Sequence, residues 1–228
     1  MNEYVEAAST RVVIYDGAMG TSLQQADLTA DDFGGESLEG CNEILSATRP
    51  DLIQQIHASY LEVGVDVIET NSFGGFSVPL AEYGIEHRTH ELNVAAARLA
   101  RHVADDFSTT DRKRWVAGSI GPGTKFPTLG QIRYLDLRAA YEEQSAGLLE
   151  GGVDLFIIET QFDLLGLKAA INGARRAMAA AGRRVPIQAQ VTIEATGRML
   201  PGTCLLYTSP SPRDARKYLV CRLLLEKR

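Results

Sequence analysis

The chain alternates short apolar runs with longer segments in which apolar residues recur every three to four positions. The apolar runs cover residues 12–15, 65–68, 115–120, 153–158 and 186–193. Strands that are apolar on both faces belong to a parallel sheet that helices cover, so each run predicts a buried strand. The amphipathic segments between them predict helices, at residues 49–63, 87–105, 136–150 and 163–181.

This alternation predicts an α/β fold with two possible architectures, a doubly wound open sheet and a (β/α)8 TIM barrel. Polar or Gly-rich residues follow every predicted strand rather than a single one. A barrel builds its site from the carboxyl ends of several strands, so this distribution favours the barrel. A complete barrel takes about 250 residues. The sequence therefore predicts an incomplete barrel with about five β/α units.

The residues at these strand ends are the candidate ligand-binding groups. Asp16 and Gly17 follow the first strand, Thr70 and Asn71 the second, and Glu159 the fourth. Asp16 could hold a ligand ammonium and Gly17 could let the backbone approach a ligand carboxylate, although a tight turn explains both equally well. Glu159 ends an apolar run, where a carboxylate needs a partner, either a ligand or a salt bridge. Thr70 and Asn71 suit hydrogen bonds to a small polar ligand.

Neither the cysteines nor the histidines predict a metal site in this chain. Cys41, Cys204 and Cys221 form no close pair, which argues against a disulfide framework and against a zinc knuckle. The four histidines lie on or beside predicted helices, away from the strand ends. We therefore predict surface or packing roles for the histidines and no metal ligand.

Charge and hydropathy limit the partners that the chain is expected to have. The net charge of −6 argues against nucleic acid as a partner. No window approaches eighteen consecutive apolar residues, so no membrane span is expected. The N-terminal residues carry two acids and no basic, apolar leader, which predicts a cytoplasmic protein.

The last 25 residues differ in composition from the rest. Residues 204–228 contain six basic and two acidic residues, whereas residues 1–203 contain 17 and 27. The run from Cys204 to Asp214 also resembles a translated sequencing-library adapter. We therefore predict that residues 1–203 are the N-terminal part of the barrel and that residues 204–228 are an unrelated tail of adapter sequence.

Several ordered motifs resemble the homocysteine S-methyltransferase family, over roughly residues 10–203. Within the family, the sequences of these motifs are most similar to the homocysteine-binding domain of the cobalamin-dependent methionine synthases. The motifs that carry the resemblance are DGAMGT at 16–21, GCNEIL at 40–45, DVIETNSF at 66–73, VAGSIGP at 116–122, IIETQFD at 157–163 and VTIEATGR at 191–198.

The resemblance implies a barrel that transfers a methyl group to the thiol of homocysteine and so forms methionine. Asp16 and Glu159 would hold the substrate ammonium, and amides near Gly17 its carboxylate, with Thr70 and Asn71 as weaker contacts. Zinc would bind the thiol. Methylcobalamin would be the methyl donor, on a separate domain, and methyltetrahydrofolate would recharge it on another.

The chain departs from the family pattern at its zinc ligands, which are one cysteine after the sixth strand and an adjacent Cys-Cys pair near the eighth. The sequence has no Cys-Cys pair, and we expect the family cysteines to lie beyond the point of truncation. A fragment of this kind is expected to be poorly stable and inactive, because its open strand edges invite aggregation. Two other functions stay open: a metal-free amino-acid binding module, and a different TIM-barrel enzyme that uses Asp16 and Glu159 for acid–base chemistry.

Overall fold

The structure is a computed structural model that describes residues 2–203. The predicted adapter tail, residues 204–228, lies outside the described residues. Among residues 2–203, no helix is both long enough and apolar enough to cross a membrane.

Helices and strands alternate along most of the described chain. The four strands are β1 (Val67–Glu69), β2 (Trp115–Ile120), β3 (Leu155–Gln161) and β4 (Ile187–Val191). The longer helices are α1 (Glu3–Thr10), α5 (Pro50–Glu62), α7 (Thr89–Asp106), α8 (Tyr134–Gly151) and α9 (Leu164–Ala181). The short helices are α2 (Met19–Gln24), α3 (Ala30–Phe33), α4 (Leu45–Thr48) and α6 (Ser77–Leu80). Residues 22–48, which lacked a clear pattern in the sequence, thus contain short helical turns.

The four strands form one open, parallel sheet in the order β1-β2-β3-β4. Each strand pairs with the next along the chain, and a long helix connects each pair, as expected for successive β/α units. The prediction of an α/β fold with parallel strands is confirmed. The predicted first strand at residues 12–15 is wrong as a strand, because only Tyr15 forms a bridge, to Val67. The expected five strands are therefore four strands and one bridge.

The two faces of the sheet have different coverings. Side chains alternate between the faces along each strand, so Ile68 of β1 and Val116 of β2 lie on the face that packs against the long helices. Val67 and Ala117 lie on the opposite face, where they pack with Tyr4 of α1. Val13 and Tyr15 of the segment before α2 pack against the same cluster.

The long helices pack closely against one another on the first face. Gly151 of α8 lies so near α7 that an added Cβ would come within 2.9 Å of the Val94 carbonyl oxygen. A Cβ on Gly147 would come within 2.7 Å of the His90 carbonyl oxygen. Glycines on one side of α8 therefore permit an approach that larger residues would prevent.

The segment that leads to Asp16 is held against β1 by an ion pair and by backbone hydrogen bonds. The guanidinium of Arg11 donates to both carboxylate oxygens of Asp66, at 2.8 and 3.1 Å. The same carboxylate accepts the Ile14 N–H at 3.0 Å, and Asp66 N–H donates to the Ile14 carbonyl at 2.7 Å. Asp16 N–H donates in turn to the Val67 carbonyl at 3.0 Å, which places Asp16 beside the end of β1.

Candidate functional site

Three carboxylates from separate parts of the chain meet on the second face of the sheet, at the carboxyl ends of the strands. Glu69 ends β1, Glu159 lies near the end of β3, and Asp16 adjoins β1 from the preceding segment. The register pairs Glu69 with Ala117 and Ser119 with Ile157, so Glu69, Ser119 and Glu159 follow a diagonal across β1, β2 and β3. None of the ion pairs formed within residues 2–203 involves any of these three carboxylates.

The Asp16 carboxylate is half-buried and only partly hydrogen-bonded. Its Oδ2 accepts the Glu69 backbone N–H at 3.0 Å, whereas its Oδ1 is buried without a partner among the described residues. Burial, together with the nearby charge of Glu159, raises the pKa of Asp16 to about 7. Asp16 thus lacks a cation that would stabilise its charge, and an incoming ammonium would supply one.

Glu69 faces the same accumulation of negative charge. Burial raises the pKa of Glu69 above its usual range, and the charges of Glu159 and Asp16 raise it further. Glu159 is thus the neighbouring carboxylate that most opposes ionisation of Glu69. The group of three carboxylates is therefore electrostatically suited to a cationic ligand.

Glu159 is held by a hydrogen bond from the neighbouring strand. Ser119 Oγ donates to Glu159 Oε1 at 2.6 Å. The pairing of β3 with β4 shifts register between Ile158 and Gln161, and Thr160 in this irregular stretch has a φ of +56°. Irregular strand ends of this kind redirect side chains and are common beside active sites.

The side chains of Thr70 and Asn71 form hydrogen bonds to other residues of the protein. Thr70 Oγ1 accepts the Ser119 N–H at 3.0 Å and lies 2.6 Å from Ser72 Oγ. Asn71 Nδ2 donates to the Asn42 carbonyl at 2.7 Å. These contacts tie β1 to β2 and to the segment before α4. Direct contact of Thr70 or Asn71 with a ligand stays a prediction.

Gly17 is exposed and passes close to the ring of Tyr60. An added Cβ at Gly17 would lie 2.8 Å from the Tyr60 hydroxyl oxygen. The absence of a side chain therefore allows the chain to turn from Asp16 into α2 beside α5. This geometry explains the glycine by packing, and its predicted part in binding a carboxylate stays a prediction.

The sequence placed Asp16 and Glu159 at strand ends, and the structure brings them together. Sequence reasoning missed two members of the site, Glu69 as a third carboxylate and Ser119 as the partner of Glu159. Alternation along each strand was the available signal. Glu69 lies two residues after Val67, and Ser119 two after Ala117, so all four share the second face.

The described residues do not fit a zinc ion. Within residues 2–203, no group of three or more His, Cys, Asp or Glu side chains is arranged to hold a metal. Cys41 is buried, and its thiol donates to Glu43 Oε2. Burial raises the pKa of this thiol to about 11, which disfavours the thiolate that zinc requires.

Comparison with known proteins identifies the family. The family model described as homocysteine S-methyltransferase matches residues 13–209. The chain belongs to the homocysteine S-methyltransferase family, and the resemblance seen in its motifs is confirmed.

Methionine synthases are among its relatives. The chain is 52% identical over 201 residues to methionine synthase of Mycobacterium tuberculosis and 51% identical to that of Mycobacterium leprae. Each match covers 88% of this chain but only 17% and 16% of the relatives, so the chain spans about a sixth of their length.

Solved structures share the fold. The Escherichia coli homocysteine methyltransferase MmuM in its oxidized form superposes with a TM-score of 0.72 at 21% identity, covering 90% of this chain and 70% of that one. The metallated form gives 0.70 at 20% identity, covering 88% and 70%.

Proposed function

We propose that this chain forms the homocysteine-binding front part of a (β/α)8 barrel that transfers a methyl group to the homocysteine thiol. The observation that carries the proposal is the meeting of Asp16 and Glu159, with Glu69, at one end of the sheet and without a cation among the described residues. Family membership and the two methionine synthase relatives support it. The helices that connect successive strands, α7, α8 and α9, all pack on one face, which supports a barrel wall, since a doubly wound sheet has connecting helices on both faces.

The chemistry of the site is recognition of the amino-acid end of the substrate. The substrate ammonium lies against Asp16 and Glu159, where it offsets their mutual repulsion and lowers the raised pKa of Asp16. Backbone amides near Gly17 receive the substrate carboxylate. Thr70 and Asn71 hold the strand ends in register and contribute weaker contacts. Recognition of both charged ends leaves the thiol side chain to extend away from the sheet.

Zinc and methylcobalamin belong to the proposal through the family resemblance. Sulfur ligands for zinc would come from outside residues 2–203, because the described residues do not fit the ion. Methylcobalamin and methyltetrahydrofolate would act on further domains, in keeping with the sixth of each relative that this chain spans. Residues 1–203 would form the front of the barrel and residues 204–228 the unrelated tail.

Calorimetry with L-homocysteine tests the ammonium site, using the purified chain and the full-length product of its gene. Asp16→Asn and Glu159→Gln each remove a charge that contacts the amine and should weaken binding about tenfold or more. Glu62→Gln, an exposed change on α5, is the matched control and should leave affinity unchanged. Wild-type affinity in both site variants would refute the proposal.

A second candidate function rests on the raised pKa of Asp16. A carboxylic acid with a pKa of about 7 suits general acid–base catalysis at neutral pH, which a barrel enzyme could use without a thiol substrate. Homocysteine, methionine and serine distinguish the candidates in the same titration. Preference for homocysteine supports the methyltransferase, whereas equal binding of all three supports an amino-acid binding module or another enzyme.

A further inference from the structure

Ser119 is a buried side chain that contacts one of the three carboxylates. It lies in the middle of the sheet on β2, is only 3% exposed, and points its hydroxyl at Glu159. Two residues that follow β1 fix its backbone: Thr70 Oγ1 accepts its N–H, and its carbonyl accepts the Ser72 hydroxyl at 2.8 Å. Ser119 is thus anchored to β1 while its side chain reaches β3.

The hydrogen bonds around Ser119 continue into the helix layer. Gln144 of α8 donates from Nε2 to the Ser72 carbonyl at 2.7 Å and to the Ser119 carbonyl at 3.5 Å. Gln144 and Ser72 are both buried. Buried hydrogen bonds of this kind fix positions because breaking one leaves a polar atom without water or partner. The position of Ser119 is therefore determined by the fold and not by a ligand.

We propose that Ser119 is a positioning residue that holds the Glu159 carboxylate in the orientation that receives the substrate amine. The inference rests on the proposed function, because it assumes that Glu159 contacts an ammonium. The hydroxyl has one proton, which it donates to Oε1, so the second oxygen, Oε2, stays available for other partners.

The surroundings of Glu159 explain why such a hold matters. Glu159 lies in the irregular part of β3, next to Thr160 with its positive φ, and it lies near the carboxyl groups of Asp16 and Glu69. Without Ser119, the carboxylate would be free to rotate away from the other two carboxyl groups towards solvent. The substrate amine would then meet a site in which one of its acceptors has to be ordered on binding.

The test compares Ser119→Ala and Ser119→Thr with wild type, in the full-length gene product. Calorimetry measures the affinity for L-homocysteine and for 4-mercaptobutanoate, which keeps the thiol and the carboxylate but lacks the amine. Ser119→Ala should weaken homocysteine about tenfold, the range for a hydrogen bond to a charged group, and leave 4-mercaptobutanoate unchanged. Ser119→Thr keeps the hydroxyl and should restore most of the loss.

A matched control separates positioning from packing. Ser145 of α8 is also fully buried, and its hydroxyl donates to the Tyr141 carbonyl, outside the site. Ser145→Ala should leave the affinities for both ligands unchanged, and thermal unfolding of every variant checks that the fold is intact. An equal loss for both ligands in Ser119→Ala, or wild-type affinity for both, would overturn the inference. Failure of wild type to bind homocysteine would instead refute the proposed function itself.

Discussion

The burial of His57 predicts a dependence of stability on pH, because this ionisable side chain lies in the core without a hydrogen-bond partner among the described residues. It lies on α5, is 0% exposed, and neither of its ring nitrogens finds a hydrogen-bond partner among residues 2–203. Burial alone lowers the pKa of His57 from 6.5 to about 4. The folded protein therefore holds the imidazole neutral at pH values where the unfolded chain protonates it.

The shift converts into a dependence of stability on pH. Above pH 6.5 the ring is neutral in both states, and His57 causes no loss of stability. As the pH falls from 6.5 towards 4, only the unfolded state gains the proton, so the free energy of unfolding falls by about 1.4 kcal/mol per pH unit. At pH 5 this loss amounts to about 2 kcal/mol. Below pH 4 both states are protonated, and the loss stops growing.

Urea unfolding at pH 7.5 and at pH 5 measures this loss as a difference between variants. His57→Leu removes the ionisable ring, so its free energy of unfolding should fall less between the two pH values than that of wild type, by about 2 kcal/mol. Any change in the free energy of unfolding that comes from the different packing of leucine is the same at both pH values, so it cancels in the difference. His102→Leu, an exposed change on α7, should follow wild type. Equal falls in wild type and His57→Leu would refute the argument.

Two further changes probe the carboxylates and the helix packing by urea unfolding. Glu69→Gln removes a group whose raised pKa makes the folded state lose stability as the pH rises above 4.5. The variant should therefore be more stable than wild type by about 1–3 kcal/mol at pH 7 and equally stable below pH 4.5. A difference that stays constant across this pH range would contradict the raised pKa of Glu69. Gly151→Ala should lower the free energy of unfolding by about 1–3 kcal/mol, because the added Cβ meets α7. Gly166→Ala is the control: its Cβ meets nothing nearer than 3.7 Å, so the change should stabilise α9 by about 0.5–1 kcal/mol. A Gly151→Ala variant as stable as wild type would contradict the close packing.

The sequence predicted best the elements whose burial is uniform. The strand predicted at residues 115–120 matches β2 (Trp115–Ile120), in which every residue is buried. The helix predicted at 163–181 matches α9, which Asp163 caps by accepting the Leu165 N–H at 2.8 Å. Apolar content and capping residues are local properties, so a linear pattern is sufficient to read them.

The same reasoning failed at residues 12–15, where the pattern was equally apolar. Val12 is 81% exposed and Ile14 54% exposed, and the segment forms only the Tyr15 bridge. A strand needs a neighbour as well as an apolar run, and the presence of a neighbour is a tertiary property. The barrel was predicted from the distribution of strand ends, but the described sheet is open, with β1 and β4 at its ends.

The sequence by itself determined the alternation of strands and helices, the family, and the position of Glu159 near the end of a strand. The tertiary structure alone decided which side chains meet there. The parallel alignment of β1, β2 and β3 put Glu69, Ser119 and Glu159 on one face of the sheet, where the Ser119 hydroxyl donates to Glu159. It also left Thr70 and Asn71 hydrogen-bonded within the protein. Periodicity records which face of a strand is buried, whereas contacts between residues 40 or more positions apart depend on how the strands are aligned, which no local pattern encodes.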